Sequence, residues 1–113
     1  MSAPVFQPVL LGTDQGTYAL ARAFHEQYGV RSVIVSRGRS GAISHSRILD
    51  LVHTGDDSDR ADLVAALLRE GRERKERAPE VPLVLMYNSD SHVELVSEHA
   101  EELSQFYEFP YLD

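Results

Sequence analysis

Hydrophobic and polar positions alternate between short continuous apolar runs and longer stretches of helical periodicity. Val9-Leu10-Leu11 is continuously apolar, as expected of a strand covered on both faces. Gly12 ends it, and Asp14 is placed to cap a helix from Gln15 to Tyr28 with Ala19, Leu20, Ala23 and Phe24 as its apolar stripe. Gly29 stands where a left-handed C-terminal cap is usual. Ser32-Val33-Ile34-Val35-Ser36 is β-branched and short, which predicts a second strand.

Arg37 to Arg47 is polar and broken by Gly38 and Gly41, a loop pattern. A third strand with mixed faces is expected over Ile48 to His53, then a turn and helix-capping residues over Thr54 to Asp59. The next helix carries Leu63, Val64, Leu67 and Leu68 on one face and ends in the charge run Arg72 to Arg77, expected to be a solvated helix end. Pro79 and Pro82 separate it from the strand Leu83 to Tyr87. Ser91 with Glu94 three residues later has the form of a capping box, opening a helix that buries Leu95, Val96, His99 and Leu103. Phe109-Pro110-Tyr111-Leu112 forms a last extended piece. The order β-α-β-β-α-β-α implies parallel strands joined by right-handed crossovers, hence an α/β Rossmann-like three-layer domain with a mainly parallel sheet. With 113 residues and no internal repeat, one domain spanning residues 1–113 is expected.

Charge and composition narrow the partners. Eighteen acidic against eleven basic residues give a net charge of -7, which argues against nucleic acid. No cysteine is present, so disulfides, thiolate nucleophiles and zinc-thiolate sites are excluded. No apolar stretch reaches the ~20 residues of a membrane span, and the first residues lack the pattern of a signal peptide, so a cytoplasmic domain is expected.

Three segments carry the candidate chemistry. Gly12-Thr13-Asp14-Gln15-Gly16 and Asn88-Ser89-Asp90-Ser91-His92 both follow a strand and open a helix, so they share the carboxyl edge of the sheet, where ligands bind in this architecture. Arg37-Gly38-Arg39-Ser40-Gly41 follows the second strand onto the same edge and brings guanidinium forks suited to carboxylate or phosphate. Each also has a plain structural reading: a capped turn, a capped helix start and an exposed loop. The first segment matches neither the dinucleotide G-x-G-x-x-G nor the P-loop. An aspartate at a helix start favours an amine or hydroxyl over phosphate. Gly12, Thr13, Asp14, Arg37 and Asp90 are the candidate substrate-binding residues. His92 and His99 are seven apart, too far to chelate one ion, and no nucleophile–base set or metal site is expected.

Val9 to Asp14 with Tyr18 to Glu26, Ser40 to Ile48, and Asp90 to Ser97 running on to Phe109-Pro110-Tyr111-Leu112-Asp113 together resemble the N-terminal domain of ATP-grasp carboxylate–amine ligases, the group that includes D-aspartate ligase. The resemblance spans nearly the whole chain and implies a Rossmann-like precursor domain of the pre-ATP-grasp type. Such a domain packs against downstream ATP-grasp domains of the same polypeptide and forms one wall of the cleft for a small amino-acid substrate. Such ligases activate a carboxylate as an acyl phosphate with Mg-ATP, and an amine displaces the phosphate. The family's ATP-binding lysines and magnesium-binding acidic residues lie downstream of this domain, and the single lysine here is Lys75. No cofactor is therefore expected on this chain, Mg-ATP is expected for a longer parent, and this chain alone is expected to be inactive. Apolar surface left for the other domains would favour self-association, so a homodimer is a further expectation. The alternative is a free-standing small-molecule-binding or regulatory Rossmann-like module.

Overall fold

The computed structural model describes residues 6–12, 15–36, 49–54, 59–87 and 90–109. Strands β1 (Gln7–Leu11), β2 (Ser32–Ser36), β3 (Leu49–His53), β4 (Leu83–Met86) and β5 (Tyr107–Glu108) alternate with helices α1 (Gln15–Tyr28), α2 (Arg60–Arg77), α3 (Asp90–Glu98) and α4 (Ala100–Leu103). The strands form one sheet in the order β3-β2-β1-β4-β5, and every pairing among them is parallel. This is the doubly wound order, with β1 central and the chain turning back past it between β3 and β4. The expected α/β Rossmann-like three-layer fold is observed.

Period-two alternation divides the strands between two cores. Val9, Leu11, Val33, Val35, Leu83 and Leu85 face α2, α3 and α4, where Leu63, Val64, Leu67, Leu95, Val96 and Leu103 meet them. Leu10 and Ile34 face α1, against Ala21 and the half-buried Tyr18, Leu20 and Phe24. Val9, Val33 and Ile34 are fully enclosed, each worth roughly 1.5–3 kcal/mol of burial. Phe6 extends the α1 side by meeting Phe24 and Tyr28 edge-on, with ring centroids 5.4 and 5.3 Å away.

Several expectations shift in detail. The stripe of α1 is Thr17, Tyr18, Leu20, Ala21 and Phe24, while Ala19 and Ala23 are exposed. An alanine carries too little apolar surface to dictate which way a helix turns, and the large residues at 18, 20 and 24 decide it. Helix α3 already begins at Asp90, so Ser91 lies inside the first turn rather than at a cap. A reciprocal capping box is found instead on α2: Asp59 accepts from the Asp62 N–H, and the Asp62 carboxylate accepts from the Asp59 N–H, each at 3.0 Å. The last helix breaks at His99, which is half-buried with Nδ1 3.2 Å from the Glu102 carboxylate instead of being packed in the core. The final strand is Tyr107–Glu108, two residues before the predicted piece, and residues 110–113 lie outside the described residues.

Tyr107 ties this last strand to α2, its hydroxyl donating to the Leu67 carbonyl at 2.6 Å. Burial raises its phenol well above the ordinary range; Glu70 adds to the rise, and Arg74 opposes it. The run Arg72 to Arg77 is only partly solvated. Arg74 and Lys75 are half-buried, and the Lys75 ammonium donates to the Val81 carbonyl at 3.1 Å.

Candidate functional site

The carboxyl ends of β1 and β4 lie side by side, with Leu10 opposite Met86 in the ladder. Each strand feeds a helix, so the first turns of α1 and α3 open onto the same edge. Gly12 leaves β1 with φ +100°, a backbone conformation that side chains with a Cβ rarely adopt. Its N–H donates to the Val35 carbonyl at 3.1 Å, which holds the turn against β2. A Cβ at position 12 would stand 3.3 Å from His92 Cε1 and 3.7 Å from Thr17 Oγ1. The absence of a side chain at Gly12 therefore lets the imidazole from α3 close over the β1 turn. The two junctions singled out in the sequence meet at this contact.

Around it the walls are polar but sheltered. Thr17 on α1 is buried, as is Tyr87 immediately after β4, and the Tyr87 hydroxyl and His92 Nδ1 are shut off from solvent. Ser36 ends β2, and its carbonyl accepts from both the N–H and the hydroxyl of Thr54, at 2.9 and 3.3 Å. The arrangement joins two helix N-termini, whose N–H groups favour a carboxylate or phosphate oxygen, to an imidazole that can accept or donate a proton. Among the described residues no group of three His, Asp or Glu side chains is placed to hold a metal ion.

Of the predicted substrate-binding residues, Gly12 stands at the centre of the edge and Asp90 supplies the first residue of α3, two positions before His92. Thr13, Asp14 and Arg37 lie outside the described residues. Thr17 and Tyr87 join the edge beyond the predicted substrate-binding set. A polar Thr four positions before the buried Ala21 was a usable signal for the first; a Tyr at the end of an apolar run offered none.

Comparison with known proteins adds one relative. D-aspartate ligase from Enterococcus faecium (strain Aus0004) is 32% identical to this chain over 109 residues. The chain is similar to part of a D-aspartate ligase. The aligned stretch takes in 96% of this chain but 25% of the relative, so the chain spans about a quarter of that ligase's length. The resemblance to this group of ligases read from the sequence is thus found across nearly the whole chain. No family model matches. No solved structure matches either. No helix among the described residues is long and apolar enough to cross a membrane.

Proposed function

We propose that this chain is the N-terminal Rossmann-like domain of an ATP-dependent carboxylate–amine ligase of the ATP-grasp type. The observation that carries the reading is the lopsided coverage: nearly all of this chain aligns with only a quarter of D-aspartate ligase. In this role the domain supplies scaffold and one wall of a substrate cleft along the carboxyl edge of its sheet. Gly12, Thr13, Asp14, Arg37 and Asp90 line that wall for a small amino-acid substrate, D-aspartate being the first to try.

The described residues of this chain are not arranged to hold Mg-ATP. Its single lysine donates to a backbone carbonyl at the opposite edge of the sheet, and its described carboxylates form no three-membered cluster. In this reading nucleotide and metal chemistry belong to downstream ATP-grasp domains of a longer parent, with which this domain packs, in a cytoplasmic enzyme. Such a protein would activate the carboxylate elsewhere and use this wall to orient the amine.

The test is the native polypeptide. An antibody against this domain should detect a species several times heavier than 12.7 kDa in source cells. That protein, once purified, should release phosphate from ATP only when an amino acid and a carboxylate acceptor are both present. A native species of 12.7 kDa, or phosphate release indifferent to the amino acid, would overturn the proposal in favour of a free-standing binding module.

A further inference from the structure

The two faces of the sheet are unequally covered. The β1-to-β2 crossover, α1, lies on one face, and the β3-to-β4 and β4-to-β5 crossovers, α2 and then α3 with α4, lie on the other. On the face that α1 occupies, β4 and β5 therefore receive no crossover, and α1 itself packs on β1 and β2. The side chains sent to this open half are apolar. Val84 and Met86, alternating with the enclosed Leu83 and Leu85, stay half-buried there. Pro8 stands beside Val84 in the ladder. Phe6, two positions earlier, carries the strip to the amino edge, where it meets Phe24 and Tyr28. Tyr28 is 51% exposed, past the end of the sheet that the rest of α1 covers. The one charged side chain that β1, β4 and β5 send to this face is Glu108.

Length, charge and position select one occupant for the strip. The chain spans about a quarter of the D-aspartate ligase it aligns with, so most of a parent of that size has to be seated somewhere on this domain or beyond it. A second copy is the poorer fit: two molecules of net charge -7 repel, and these three strands offer no basic group to offset Glu108. The strip also ends at Met86, the last residue of β4, beside the carboxyl edge. An occupant seated on it reaches that edge without lying over the Gly12–His92 contact, whose imidazole comes from α3 on the opposite face. A contiguous apolar strip with one charge at its border is what an inter-domain contact within one chain requires.

We infer, resting on the ligase reading, that the downstream domains of the parent polypeptide dock through an apolar surface on the strip of Phe6, Tyr28, Val84 and Met86. The carboxyl edge then stays open as the cleft wall, and the docked domains meet it alongside Met86.

The experiment compares two thiols in the purified full-length parent. Tyr28 and Val93 are the exposed large apolar side chains among the described residues, at 51% and 42%, and Val93 lies on α3, on the opposite face. Tyr28→Cys and Val93→Cys are each labelled with a maleimide, and the modified peptide is followed by mass spectrometry. Position 28 should react at least about tenfold more slowly than position 93, the protection of a docked state favoured tenfold over an undocked one. Hydroxyl-radical footprinting of the unsubstituted parent gives the same comparison without a variant, with Tyr28 and Met86 expected to be protected. A heavier parent in which both positions label alike, or protection at position 28 that disappears on dilution as a second copy would cause, overturns the docking surface alone. A native species of 12.7 kDa overturns the ligase reading and the docking surface with it.

Discussion

Replacing Gly71 by alanine sets two effects of known size against each other. Gly71 is buried inside α2, where intrinsic propensity alone makes Gly→Ala stabilising by about 0.8–1.0 kcal/mol. A Cβ there, however, would lie 2.7 Å from Phe106 Cβ and 3.0 Å from its Cγ. Those atoms are close to the backbone and cannot swing aside, so relief requires moving the turn that leads into β5. Overpacking of this kind costs typically about 1–3 kcal/mol. With the middle of that range, Gly71→Ala should destabilise by about 1 kcal/mol net and lower Tm by about 4 °C. Urea denaturation followed by far-UV circular dichroism measures it. In a Phe106→Gly background, which removes the Cβ as well as the ring, the obstacle is gone and the same substitution should instead stabilise, giving a coupling of about 2 kcal/mol. Stabilisation in the unmodified background would show that helix α2 and Phe106 are not packed as described.

Gly12→Ala should cost about 1–2 kcal/mol through its positive φ and should shift the His92 imidazole resonances; stability lost with those resonances unmoved would refute the contact between the junctions. Tyr107→Phe strips the donor from the Leu67 carbonyl and should cost about 1–2 kcal/mol near neutral pH. Because the folded-state pKa of Tyr107 is raised from 10.0, its ionisation favours the unfolded chain. The wild-type protein should lose stability as pH climbs above about 10, and Tyr107→Phe should flatten that alkaline limb in a series of melts. Asp59→Ala removes half of the capping box and should cost about 1 kcal/mol, readable by the same denaturation assay.

What could be read from sequence was decided by local chemistry. The runs Val9 to Leu11, Val33 to Val35 and Leu83 to Leu85 announce buried parallel strands because both faces are covered and no polar residue interrupts them. Gly12 and Gly29 mark the ends of β1 and α1 because both require positive φ. Weak apolar residues misled: Ala19 and Ala23 look like a stripe but are exposed. The Ser91 and Glu94 spacing fits a cap, yet α3 starts a residue earlier, and the spacing of Asp59 and Asp62 that does form a box is no more conspicuous. Tertiary choices were invisible. A mid-helix glycine gives no hint that Phe106 lies over it, and Arg74 inside a balanced charge run gives no hint that one nitrogen is enclosed. For the site, the convergence of the two junctions followed from topology, whereas the Gly12–His92 contact depends on a side-chain direction that periodicity does not supply.

The central place of β1 also has a bearing on biosynthesis. Its β2 side can be satisfied early, since Val9 pairs with Val33 soon after both are made. Its other side waits for Leu83 to Met86, after the whole of α2 has been synthesised. During that interval a nascent chain carries β1 with one row of backbone donors and acceptors unmatched, a template for pairing with another chain. Truncations between β3 and β4 should therefore aggregate rather than persist as smaller folded units, and ribosome-bound chains should become protease-resistant only once β4 has cleared the exit tunnel.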